Sequence, residues 1–153
     1  MIAPAEPPAL PLVYVLNGPN LNLLGQREPH IYGSQTLDDI KRDLMRLAGR
    51  LGLAVTFRQT NHEGVLVDWL HEAHARRAHA VLLNAGAYTH TSVALLDAIC
   101  AIDPPVIEVH LSDPEKREPF RHRSFVAMAA VQVVKGLGAR SYSVALEHAA
   151  KLS

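Results

Sequence analysis

Leu12–Asn17, LVYVLN, is a short apolar run that ends in a carboxamide, and a nitrogen-bearing side chain closes three later runs in the same way. VTFRQTN stops at Asn61, VLLN at Asn84 and VIEVH at His110. Such runs read as buried strands when helical patterns separate them. After the first run, Leu37, Ile40, Leu44, Leu47 and Leu51 recur at steps of three and four, with Asp38, Lys41, Arg42 and Arg46 between them. Thr36 and Asp39 make a capping-box pattern ahead of that stripe, and Gly52 suits its exit. A strand over 54–59 leads to a helix over about 65–78, with Leu66, Leu70 and Ala73 inward and Arg76 and Arg77 in the last turn, where the macrodipole favours cations. A strand over 80–84 leads to a helix over about 92–102. Pro104 and Pro105 mark the boundary before a strand over 106–110. A fifth strand near 131–135 precedes a final helix over about 141–151.

Parallel strands joined by crossover helices predict an α/β, flavodoxin-like three-layer sandwich with a five-stranded parallel sheet. The polar strand ends then share one edge, outside which open α/β folds bind ligands. The 153 residues fit one core, expected over 12–153 as a single catalytic domain after a proline-rich arm over 1–11. Fifteen Lys and Arg balance fifteen Asp and Glu, so no net field draws in nucleic acid or an acidic membrane. No apolar stretch reaches the ~18 residues of a membrane span. A single cysteine, Cys100, fits a reducing compartment, and a cytoplasmic protein is expected.

Two connections, 20–33 and 111–124, are long and polar where ~2 to 6 residues would serve, and long loops at a ligand edge usually carry function. The first holds Arg27 and Tyr32 between Gly25 and Gly33. A snorkelling arginine and a half-buried tyrosine would explain them structurally; a tyrosine base would explain them chemically. Free tyrosine is only ~0.1% ionised at neutral pH, and a neighbouring cation lowers a pKa by ~1 to 3 units. Arg27 suits that task, with Arg117 adding to it. In NAGAYTHTS, 84–92, capping by Thr91 or Ser92 leaves Asn84 and His90 unexplained, and a carboxamide at a strand end suits orienting a substrate or an imidazole.

Glu108 and His110 lie two apart on one strand and share a face, so a carboxylate beside an imidazole makes a general acid; a satisfied buried carboxylate is the structural alternative. Leu111 and Ser112 offer backbone and hydroxyl donors. Arg117 and Arg121, four apart, turn inward together if that piece is helical, holding a carboxylate and ring hydroxyls. HEAHARRAH from His71 lacks HExxH spacing and a cysteine partner, so no metal is expected; with neither GxGxxG nor GxxxxGK[ST] present, no cofactor is expected either. No GxSxG elbow occurs. The four lysines offer no obvious buried amine for an imine route. A tyrosinate base, a histidine acid and an anion clamp suit proton abstraction beside a carbonyl followed by loss of water, with Asn20 as donor to the enolate, directly or through water.

LNGPNLNLLGQREPHIYG, QTNHEGVLVDWLHEA, LLNAGAYTHTSVALLDAI, IEVHLSDPEKREPFRHRSF and VVKGLGARSYSVALE together resemble the type II 3-dehydroquinate dehydratases. The resemblance implies reversible anti elimination of water from 3-dehydroquinate in the shikimate pathway, and a homododecamer of four trimers. It implies Tyr32 as base, Arg27 as the cation that lowers its pKa, and Asn20 as holder of the enolate water. His110 falls on the general acid, oriented by Glu108 and Asn84. Substrate contacts fall on His90, Leu111, Ser112 and Arg121, with Arg117 close to the tyrosine and Asp97 reaching a neighbouring subunit's site. Thr60, Asp113, Pro114, Val131 and Ser141 depart from the family's usual residues, and the charge of Asp113 beside an anion site is expected to weaken substrate binding. A second expectation, from the fold alone, is a non-catalytic flavodoxin-like module that binds flavin or a signalling partner.

Overall fold

The computed structural model describes residues 9–26, 28–32 and 34–153, with the backbone alone at Pro29 and Tyr32. Arg27, the Tyr32 side chain and most of the proline-rich arm therefore lie outside the described residues. β1, Leu12–Asn17, pairs in parallel with β2, Ala54–Gln59, on one side and with β3, Ala80–Asn84, on the other. β4, Val106–Val109, and β5, Gln132–Val134, extend the sheet, giving the order β2-β1-β3-β4-β5 with every pairing parallel. The expected α/β flavodoxin-like arrangement is found. Because the chain steps from β1 to one side and then crosses to the other, the connections part between β1 and β3, and a crevice opens outside their carboxyl ends.

The two-residue period of the strands sorts the interior into two layers. Val13, Val15, Leu82, Ile107 and Val109 pack against the face of α2, Leu37–Leu51, and α5, Arg140–Ala150. Tyr14, Leu16, Val81, Leu83 and Val106 meet α3, Glu63–Ala75, and α4, Val93–Ala101. Leu44, Leu66, Leu70 and Leu95 are fully or almost fully buried, and each such side chain contributes ~1.5–3 kcal/mol of burial. Glu108 has the parity of Val106, so the strand points a carboxylate into the second layer.

Local chemistry sets the helix ends. Thr36 Oγ1 accepts from Asp39 N at 3.1 Å while Asp39 Oδ2 accepts from Thr36 N at 3.1 Å, the reciprocal box anticipated for α2. Ser92, not Thr91, caps α4 by accepting from Leu95 N at 2.9 Å. α3 starts two residues before the expected point and stops at Ala75, so Arg76 and Arg77 lie past its last turn. Arg77 takes a left-handed φ of 54°, and the Ala78 amide closes back on Ala73 O, which turns the chain towards β3. The long connections are not featureless: 20–33 contains a 3-10 turn, Leu21–Leu23, and the short helix α1, Pro29–Tyr32, and 111–124 contains two 3-10 turns, Pro114–Lys116 and Pro119–Arg121.

Gly18 lets the tips of β1 and β3 meet. Its amide donates to Asn84 O at 2.8 Å, and a Cβ there would lie 2.4 Å from Ala85 O.

Candidate active site

Asn17 and Asn84 face one another in register at the ends of β1 and β3, and His110 follows β4, held in line by its amide's bond to Val134 O at 2.9 Å. A cavity of about 160 Å³ opens above these ends. Asn20 and Pro19 border it from the loop after β1, and Asn84, Gly86 and His90 from the segment after β3. His110, Leu111 and Ser112 come from the end of β4, and Arg117 and Arg121 from the two 3-10 turns. Eight residues named from sequence thus meet in one pocket, although they are spread over about a hundred positions. Asn20 adopts a left-handed φ of 68°, and its amide donates to Asn61 Oδ1 at 3.1 Å.

Behind His110 stands Glu108, fully buried. Its Oε1 accepts from His110 Nε2 at 2.6 Å, from Ser124 Oγ at 2.6 Å and from Thr89 Oγ1 at 2.9 Å. Oε2 is buried without a partner among the described residues, so compensation of the charge comes through the Oε1 donors. Burial pushes the Glu108 pKa up, but the bonds from His110, Ser124 and Thr89 outweigh it and hold the carboxyl below the usual range. For His90, burial pushes the pKa down and outweighs the bond to Arg123 O, with nearby His110 and Arg121 adding to the lowering. That bond, His90 Nδ1 to a carbonyl at 2.7 Å, puts the ring proton on Nδ1 and leaves Nε2 as an acceptor.

A family model described as "Dehydroquinase class II" matches residues 11–150. The chain belongs to the class II dehydroquinase family. "3-Dehydroquinate dehydratase 2" of Pseudomonas putida is 56% identical over 142 residues, covering 93% of this chain and 95% of that one. A "3-dehydroquinate dehydratase" of a Chelativorans species is 59% identical over 136 residues, covering 88% and 93%. Among solved structures, the type II dehydroquinase from Propionibacterium acnes superposes with a TM-score of 0.87 at 42% identity, covering 91% of this chain and 95% of that one. The type II dehydroquinase from Butyrivibrio crossotus gives 0.91 at 34%, covering 93% and 99%.

For a dehydroquinase, several placements differ from the sequence reading. Asn84 directs its carboxamide to the Tyr142 hydroxyl at 2.8 Å and to Gly86 N at 3.2 Å, and no described contact joins it to His110. Arg117 and Arg121 do not share one helix: Arg117 ends the first 3-10 turn in an extended conformation and Arg121 closes the second, yet both border the cavity. Arg121 Nε meets Glu118 Oε2 at 2.6 Å, and Arg117 Nη1 reaches Ser112 Oγ at 3.5 Å. Asp97 is exposed on α4, away from the cavity of its own chain. Asp113 caps the first 3-10 turn by accepting from Glu115 N, and Lys135 Nζ stands 3.7 Å from it and 3.0 Å from Glu115 Oε1, so the two carboxylates share one counter-ion. Within HEAHARRAH, His74 Nδ1 accepts from Asp103 N and His79 Nε2 meets Ala149 O.

Sequence reasoning missed Thr89, Ser124 and Tyr142. The first two lie 19 and 16 residues from Glu108, so no periodicity connects them to it. Asn17, the partner of Tyr142, was already marked as a strand-end carboxamide.

The pKa shifts give a direction for acid sensitivity. Both Glu108 and His90 have folded pKa values below their ordinary ones, so the unfolded chain binds more protons as pH falls. Stability should be full above about pH 6.5, decline below it as His90 is forced to charge, and fall again below about pH 4.3 as Glu108 takes a proton. Urea midpoints measured from pH 8 to pH 3 check this. If Glu108→Gln leaves the lower-pH loss undiminished, Glu108 is not its source.

Proposed function

We propose that the chain dehydrates 3-dehydroquinate to 3-dehydroshikimate in the shikimate pathway of aromatic amino-acid biosynthesis. Family membership supports the reaction. The observation that carries its assignment to particular residues is the 2.6 Å contact between cavity-lining His110 and buried Glu108. In its protonated form an imidazole whose Nε2–H is held by a carboxylate still carries the Nδ1 proton, which it can donate as a general acid.

Tyr32, as its phenolate, takes the proton beside the substrate carbonyl, and the carbon–hydrogen electron pair moves into an enolate. Arg27 and Arg117 favour the phenolate by their charge, and Asn20 holds the enolate oxygen directly or through water. Return of the electron pair expels the hydroxyl as it takes the proton from His110, so substrate becomes enone and water. Loss of a proton from Tyr32 to solvent and gain of one by His110 restore the site. Arg121, Ser112, the Leu111 backbone and Asn84 bind carboxylate and hydroxyls, and neutral His90 accepts from a hydroxyl. His30 and Ile31, next to Tyr32, line a cleft that shares Leu111, Ser112 and Arg117 with the cavity, which supports bringing Tyr32 to this site. No cofactor takes part. The active form is a dodecamer of four trimers in the cytoplasm, with an exposed Asp97 entering a neighbour's site.

Purified protein mixed with 3-dehydroquinate should develop the enone absorbance of the product, at a rate that chelator and borohydride leave unchanged. A folded protein that produces no enone overturns the proposal, and bound flavin would favour the non-catalytic module instead.

A further inference from the structure

On the α5 side of the sheet, the fully buried Tyr142 places its hydroxyl between two strand-end carboxamides. It donates to Asn17 Oδ1 at 2.7 Å and accepts from Asn84 Nδ2 at 2.8 Å. The chain continues at both ends into backbone: Asn17 Nδ2 donates to Arg58 O at 2.9 Å, and Asn84 Oδ1 accepts from Gly86 N at 3.2 Å. A carboxamide can turn over and a hydroxyl can rotate, but a carbonyl only accepts and an amide N–H only donates. Arg58 O therefore demands the Asn17 nitrogen, which leaves Asn17 Oδ1 for the single Tyr142 proton. The Tyr142 oxygen then receives from Asn84 Nδ2. Gly86 N independently demands Asn84 Oδ1. Both ends require the same direction, so the arrangement has one polarity. Burial raises the Tyr142 pKa, so the hydroxyl keeps its proton throughout the working range.

Asn84 and Gly86 border the cavity, whereas Tyr142 lies beneath it. The geometry points to Tyr142 as a positioning residue for the dehydratase reaction proposed above, on which this inference rests for its substrate: its hydroxyl locks the Asn84 carboxamide with nitrogen inward and oxygen on the cavity side, so that Asn84 accepts a hydrogen bond from a substrate hydroxyl. A site built to bond a hydroxyl discriminates strongly only while its own polar atoms are fixed in polarity. Without the Tyr142 oxygen, one partner that holds the amide nitrogen inward is gone.

The test compares the unaltered protein with Tyr142→Phe, Asn84→Ala and the double variant in turnover of 3-dehydroquinate. A contact made equally in ground and transition states moves KM and spares kcat. Tyr142→Phe should raise KM about five- to tenfold. In the Asn84→Ala background the same change should add less than about twofold, because the two residues act as one unit. If the two effects multiply, or if Tyr142→Phe lowers Tm and leaves KM unchanged, Tyr142 is structural and the inference is wrong. Should Tyr142→Phe not fold, Asn17→Ala replaces it: the Tyr142 proton loses its acceptor and turns to Asn84, so the hydroxyl now favours the flipped amide in opposition to Gly86 N, with a rise in KM expected and an unchanged KM counting against the inference. A crystal structure at better than about 1.2 Å, where hydrogens become visible, reads the Asn84 orientation without any assay. Nitrogen on the cavity side in the unaltered protein overturns the relay itself, while the expected orientation with no turnover of 3-dehydroquinate overturns only the reaction.

Discussion

His110→Gln should lower kcat by roughly 10²- to 10⁴-fold, the usual contribution of a positioned general acid, with KM changed far less. The hydroxyl leaving the enolate is a poor leaving group unless a proton reaches it as the bond breaks. Glutamine approximates the reach of the imidazole and can still bond Glu108, so binding and fold persist, but its amide does not release a proton near neutrality. The buried carboxylate 2.6 Å from His110 Nε2 fixes the imidazole at the edge of the cavity, the placement a general acid needs. Steady-state rates with 3-dehydroquinate over pH 6–9 give the answer. A variant that keeps kcat within threefold would place the acid elsewhere.

Tyr32→Phe should abolish measurable turnover while binding of substrate or product, followed by calorimetry, stays within a few-fold. The substitution removes one oxygen atom and keeps the ring, so a residue that only packed would tolerate it. A base cannot, because the phenyl ring that remains has no oxygen to take the carbon-bound proton. Exchange of the acidic substrate proton with deuterated solvent separates the two chemical steps: His110→Gln should retain exchange, since the enolate still forms, and Tyr32→Phe should lose it. Exchange retained in Tyr32→Phe would remove the phenolate from the mechanism.

Much of the fold was legible because its causes are local. The unbroken apolar runs of β1 and β3, the stripe from Leu37 to Leu51 and the box at Thr36 are readable within a few residues, and all are found. Element ends were less legible. Arg76 and Arg77 looked like a last turn by charge, but the closure of Ala78 on Ala73 O ends the helix first. Chemical type also signalled the site: Asn84 and His110 close apolar runs at the shared sheet edge, where open α/β folds bind ligands, and both border the cavity.

By itself the sequence determined the strand and helix alternation, the shared edge at which the strands end and the Glu108–His110 pairing, since each follows from periods of two or 3.6 residues acting over short distances. The tertiary structure alone decided that Thr89 and Ser124 hold Glu108, that Lys135 lies between Asp113 and Glu115, and that Asn84 answers to Tyr142 rather than to His110. Those contacts join positions up to 58 residues apart, and no local period encodes them. They arise because folding brings side chains from separate elements together, and polar atoms buried in the process must find partners there.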